Sequence, residues 1–281
     1  MKRSNVHDRV EKTATQMVLI GFSIIFLFPF IWSIYSSLKT SREFLENPWR
    51  LPAQFYFVNF YNAFIEANMG KYALNSIVIS IISVSACSLI SFTTAYTITR
   101  FVNPYTRILR RAYMSAFMLP AIFGLIPLFL MFNKLGLYDS QLGLILIDIT
   151  IILPFTVFIL SGFLSSLSRD YEEAAFIDGC TRYGIMFKII LPLAMPSMLT
   201  IGIFNFMGIW NEYIYATTMI ISDWKRTLPI GLVNLMARQQ YHTDWGALFA
   251  GMVMIMLPSI SIYLLMQKKI TSGISTGGIK M

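Results

Sequence analysis

The sequence predicts an all-α, polytopic membrane protein with six transmembrane helices, and three observations carry that prediction. Of the 281 residues 56% are hydrophobic and only 13% are charged, where a soluble domain carries about a quarter; the mean hydropathy is +0.63. Apolar runs near the ~20 residues that cross a bilayer recur at roughly 17–38, 73–98, 112–132, 142–164, 197–220 and 247–267. Lys and Arg, finally, are distributed unevenly between alternate loops, as the positive-inside rule requires of a multi-pass chain.

The first run follows Lys2, Arg3, Arg9 and Lys12 in the manner of a signal peptide. Its apolar core is too long for one and no small-residue cleavage site follows, so it reads as a retained helix. The second run lacks proline and sets Ser83, Cys87, Ser91 and Ala95 at spacing four, a stripe that lets a neighbouring helix pack closely. Pro29, Pro120, Pro127, Pro154 and Pro258 fall in other runs, and such prolines are ordinary in membrane helices. Residues 48–61, "PWRLPAQFYFVNFY", are suited to an interface or to a partner protein. The 222–245 segment is long enough either to fold back or to contact something outside.

The N-terminus, the 99–111 loop, the 165–190 segment and the tail hold fourteen Lys and Arg, against eight in the opposite loops. Both termini are therefore expected in the cytoplasm, the chain being a multi-pass membrane protein. The net charge of +8 belongs to these loops and does not require nucleic acid. The organisation expected is a cytoplasmic segment 1–16, one transmembrane domain 17–267 with a polar loop about 165–196, and a cytoplasmic tail 268–281. Cys87 and Cys180 form no disulfide framework.

Residues 172–196, "EEAAFIDGCTRYGIMFKIILPLAMP", interrupt the apolar pattern with acids, small residues and a glycine. Asp170 and Glu173 have capping-box spacing, which predicts a short helix from Asp170 towards Asp178. Gly179 then allows a turn without a Cβ penalty. A second helical piece is expected from about Thr181, with Pro192 redirecting the chain at Leu191 into the fifth span. Ala174 and Ala175 would give the first helix a low-relief patch bordered by Glu172, Glu173 and Asp178, either a docking surface or a plain interfacial helix.

In "EAAFIDGCTRYGIMFKIILP", Glu173, Ala174, Ala175, Gly179, Ile189, Leu191 and Pro192 are spaced as in the EAA motif, and the segment resembles that of ATP-binding-cassette importer permeases. "PLAMP" continues it, "IFNFMGIWNEYI" (203–214) resembles the next span of carbohydrate permeases, and "KKITSGISTGGIK" (268–280) resembles their tail. Asn47, Pro48, Trp49, Leu51 and Pro52 also fit. The resemblance is to the six-helix second permease subunit of maltose and multiple-sugar importers. It implies the type I importer permease fold and pairing with a homologous permease. It implies further two ATPase subunits and an extracytoplasmic sugar-binding protein as partners. Glu173, Ala174, Ala175, Asp178 and Gly179 would then form a coupling helix that docks in an ATPase cleft. No G-x-x-x-x-G-K-[ST] occurs in the sequence, so the chain is expected to be no enzyme and to hold no cofactor of its own, ATP being bound by the partner.

Asp148 and Glu212 are the carboxylates placed inside spans, where charge is expensive and commonly faces a cavity or a partner. Glu212 would lie roughly 12 Å from the outer end of its helix at about 1.5 Å per residue. With Asn205, Trp210 and Asn211 it would suit a sugar-gripping translocation path, or equally a hydrogen-bond network between helices. Asp148 sits closer to the outer surface, where it would reach water. A secondary transporter would use such carboxylates for protons but leaves the EAA pattern unexplained. His7 and His242 fall on opposite sides of the membrane, which disfavours an embedded enzyme. A permease for peptides or a sugar phosphate would share the EAA segment.

Overall fold

The computed structural model describes residues 2–238 and 244–277. Among them every regular element is a helix. Those that build the spans and the site are α1 (Lys2–Ser36), α2 (Met69–Arg100), α3 (Pro104–Met118), α4 (Leu125–Lys134), α5 (Gln141–Ser166), α6 (Asp170–Ile177), α7 (Leu191–Trp210), α8 (Ile214–Met219), α9 (Leu228–Arg238) and α10 (Trp245–Gly277). Among the described residues five helices are long and apolar enough to cross a membrane, and six if the bent pair of α3 with residues Ala121–Lys134 counts as one span.

That bent pair is where the expected third span departs from a straight helix. The helix starts at Pro104, not near 112, so Arg107, Arg110 and Arg111 lie on helix and not in a loop. Asn103 caps it, accepting from the Thr106 amide at 2.9 Å while the Asn103 amide donates to Thr106 Oγ1 at 3.0 Å; Pro104 at the first turn lacks only an amide that would be unpaired anyway. The pair then bends by 103°. Pro120 has no N–H to donate and forces Leu119 into an extended conformation, φ −84° and ψ 127°.

The chain divides into two compact units, Met1–Gly70 with Leu232–Met256, and Lys71–Gly231 with Leu257–Met281. In the first, the loop that follows α1 is folded around aromatic rings. Trp32 lies 5.6 Å from Trp49 and edge-on to Phe249 at 5.1 Å, and Phe44 stacks on Trp245 at 5.2 Å. Asn59, buried, donates to the carbonyls of Ser37 and Lys39 at 2.8 and 2.7 Å and closes the loop. Trp49, Leu51, Phe55, Phe57 and Tyr61 stay exposed.

In the second unit α2, α5 and α7 share a core that includes Phe92, Leu160, Leu164, Ile190 and Ile201. The small-residue stripe Ser83, Cys87, Ser91 and Ala95 is wholly buried. Cys87 Sγ lies 3.5 Å from Ser91 Oγ and 3.8 Å from Thr156 Oγ1, so the stripe is helix packing with polar contacts added. Both cysteines are free thiols. The start of the 222–245 segment folds back on its own chain. Asn75 Nδ2 donates to the carbonyls of Trp224 and Arg226 at 3.0 and 2.8 Å, and the Leu228 amide donates to Ser76 Oγ at 2.8 Å. Gly231 is required there, because a Cβ would lie 2.2 Å from the Tyr72 ring. Residues 239–243, with His242, and the end of the tail lie outside the described residues.

Candidate functional site

The Glu-Ala-Ala segment forms α6 with the length the sequence predicts, but its start differs. Asp170 is the first helical residue; Arg169 precedes it without a side-chain cap, so the expected Asp170–Glu173 capping box is not made. The amide of Asp170 donates instead to Ser168 Oγ at 3.2 Å, and three acids in the first turn face the positive helix end. The C-terminus is a Schellman turn: the Gly179 amide donates to Phe176 O at 3.1 Å and the Cys180 amide to Ala175 O at 3.0 Å. Gly179 has φ +79°, a conformation that a side chain makes costly by about 1–2 kcal/mol.

The two alanines have different surroundings. Ala174 is exposed, whereas Ala175 is 6% exposed and packs into the core cluster with Tyr96, Leu164 and Ile185. The outward patch therefore contains Glu173, Ala174, Asp178 and Gly179 without Ala175. It gains Phe176 and Ile177, which are exposed on the same helix and which the motif's acids and alanines drew attention away from. Glu172 turns inward as well. Its Oε1 accepts from Arg100 Nε at 2.6 Å, and Arg100 Nη2 donates to Leu167 O at 3.1 Å, both side chains being largely buried. This pair ties α6 to the end of α2.

Thr181 caps the next turn, accepting from the Gly184 amide at 3.1 Å. The chain then runs through a π-helical stretch, Ile185–Ile190, directly into α7. Pro192 does not redirect it: Leu191 is helical, φ −58° and ψ −48°. The wider π turn accommodates the ring and its missing donor, and Arg182–Trp210 is one 29-residue span.

At its far end that span stops at Trp210, and Glu212 lies in a break before α8 rather than inside a helix. Its two carboxylate oxygens accept from the amides of Tyr215 and Ala216 at 2.7 and 2.8 Å, and so begin α8. Asp148 does not reach water; it is 2% exposed and lines one cavity with Glu212. The remaining candidates lie elsewhere. Asn205 is buried and donates to Thr156 Oγ1 at 2.9 Å; Trp210 is buried and stacks on Phe206 at 5.8 Å; Asn211 donates to Met207 O at 2.8 Å on its own helix.

Beyond the break, Asp139 accepts from the amides of Ile221 and Ser222, each at 2.9 Å, from Ser222 Oγ at 2.5 Å and from Lys225 Nζ at 3.0 Å. Burial works against its charge, but these donors outweigh it and hold the carboxyl well below the usual carboxylate range.

Residues 87–275 match the family described as "Binding-protein-dependent transport system inner membrane component". The chain is 34% identical over 270 residues to the diacetylchitobiose uptake system permease protein NgcG of Streptomyces coelicolor, covering 96% of this chain and 89% of that one. It is 29% identical to the trehalose transport system permease protein SugB of Mycobacterium tuberculosis, covering 94% of each. A crystal structure of a bacterial ABC transporter involved in import of the acidic polysaccharide alginate contains a chain with the same fold, at TM-score 0.82 and 22% identity over 93% of this chain and 96% of that one. The helical fold and the apolar spans thus agree with a family match over most of the sequence: this chain belongs to the inner-membrane components of binding-protein-dependent transport systems and is a permease subunit of an ATP-binding-cassette importer.

Proposed function

We propose that the chain forms half of the translocation pathway of a sugar or oligosaccharide importer and that α6 is the helix through which a separate ATPase drives it. The observation that carries this reading is the exposed patch Glu173, Ala174, Phe176, Ile177 and Asp178 on a helix fixed at both ends, by Arg100–Glu172 and by the Gly179 turn. Apolar side chains beside two acids on a rigid helix suit a protein partner better than water. The chain itself does not hydrolyse ATP; two ATPase subunits bind the nucleotide. The sugar specificity is supported by the relatives named for diacetylchitobiose and trehalose.

The other partners are a homologous permease and an extracytoplasmic sugar-binding protein. The apolar side chains of α1 from Met17 to Phe30 are exposed along the helix, which supports a covering of lipid or of the second permease. Both termini lie in the cytoplasm in this arrangement, as the excess of Lys and Arg in their loops requires, and α6 then faces the ATPase. Asn205, Trp210, Asn211 and Glu212 lie in or just beyond the half of the fifth span farther from α6 and Asp148 lies in the first half of α5; among them Glu212 borders the path.

Cysteine labelling tests the assignment. Cys180 is half-buried against the core, so the reporter is Ala174→Cys with Cys180→Ser. A maleimide added to the permease pair should label it fast, and labelling should slow when the ATPase subunits bind. Equal rates in the two states would reject α6 as the docking helix. The substrate class is tested by which sugar raises the melting temperature of the copurifying binding protein; a response to peptides alone would reject it.

A further inference from the structure

Five oxygen-bearing side chains, Ser76, Ser80, Asp148, Glu212 and Thr227, line a single narrow cavity whose other walls are apolar. The cavity has room for about one water-sized body. They come from α2, α5, the break after α7 and the loop before α9, and the Leu228 amide, donating to Ser76 Oγ, ties two of these segments across 152 positions.

The hydrogen bonds do not close. Glu212 is occupied by the amides of Tyr215 and Ala216, and Ser76 Oγ by that of Leu228. Asp148 Oδ2, Ser80 Oγ and Thr227 Oγ1 are buried with no hydrogen-bond partner, their residues being 2%, 1% and 5% exposed. Buried polar atoms are nearly always paired, and an unpaired buried carboxylate is among the most costly of them. Three orphans facing one cavity therefore point to a ligand of that size. No Lys, Arg or His lines the cavity. The nearby cations are engaged elsewhere, Lys225 with Asp139 and Arg226 with Asp223.

We propose that this cavity is a sodium-ion site, with Asp148 supplying the charge and Ser80 and Thr227 the neutral oxygens. The ligands are hard oxygens without nitrogen or sulfur, which disfavours zinc and its neighbours. Magnesium dehydrates reluctantly and keeps several waters, for which the cavity has no space. A bound sodium ion ties α2, through Ser80, and α5, through Asp148, to the loop at Thr227. It is held only while those segments are together, so its occupancy favours the arrangement of α2, α5 and the Thr227 loop seen in this structure.

The site goes beyond the proposed transport role, and its readout is stability, independent of substrate. The full complex is melted in detergent with NaCl replaced stepwise by choline chloride at constant ionic strength. Sodium should raise the melting temperature saturably, by about 2 °C or more at saturation. Asp148→Asn should abolish the sodium dependence, and Thr227→Val should raise the half-saturating concentration at least about tenfold. Calorimetric titration of sodium into the wild-type complex keeps the test open if a variant fails to fold; it should show one ion per copy of this chain. The proposal is overturned if sodium and choline give the same melting curve. It is equally overturned if Asp148→Asn keeps the sodium shift, or if only pH moves the curve, which would assign the cavity to a proton and a water.

Discussion

The fifth span is irregular at both ends, and the two ends are built in opposite ways. Where it leaves the Glu-Ala-Ala helix, proline is absorbed by the π turn Ile185–Ile190 and the backbone remains helical from Arg182 to Trp210. At the other end the helix stops, and Asn211–Tyr213 is held by a carboxylate that caps α8. A continuous helix transmits displacement along its length, whereas a capped break absorbs backbone rotation at a few residues. The difference teaches that one span can be a stiff lever at the α6 end and a hinge at the Glu212 end.

The largest effect should come from loosening the stiff end. Gly179→Val forces a β-branched residue into φ +79°, and Glu173→Lys reverses a charge on the exposed patch. Each should reduce uptake to background, with membrane insertion unchanged by fractionation. Uptake persisting in both would mean that α6 does not drive the span. Next is the tie behind it. Arg100→Ala leaves Glu172 unpaired in a largely buried place and should lower stability by about 3 kcal/mol in thermal melts. Arg100→Leu with Glu172→Leu should recover most of that loss, because an apolar pair of similar bulk is nearly neutral.

At the hinge end the anchor is Asp139. Asp139→Ala should cost about 1–2 kcal/mol near neutral pH, through the amides and ammonium it leaves unmatched. Its folded carboxyl lies below the ordinary value near 3.9. Its contribution is therefore complete above about pH 4 and is lost as the pH falls further, so the gap between variant and parent should close only in that acid range. A gap that closed between pH 7 and 5 would refute the assignment. The smallest effect is expected from Pro192→Ala. The π turn already accommodates the ring, so stability should change by less than about 1 kcal/mol; a larger loss would show that proline itself holds the turn.

Much of this was legible because it is local. Apolar length against bilayer thickness gave the spans, and spacing in residues 173–192 drew attention to α6 and to the glycine whose φ is positive. Asp148 illustrates the limit. Its place along α5 suggested contact with water, but the loop at Thr227 covers it, and that loop is 79 residues away in the chain by the numbering. The inward turn of Ala175 was equally hidden, since identical neighbours differ only in where they fall around the helix.

The sequence by itself determined that the chain is a bundle of membrane helices, which stretch breaks that pattern, and where glycine must turn the backbone. Only the tertiary structure decided which alanine faces outward, that Arg100 holds Glu172 across 72 positions, and that Asp148 and Glu212 share one cavity. The physical reason is rotational phase. Each residue of an α-helix advances the side-chain direction by about 100°, and a π turn or a proline bend changes that advance. Hydrophobicity survives such a shift because it is summed over a span; a pairwise contact does not, because it depends on the angle at which two distant helices finally meet.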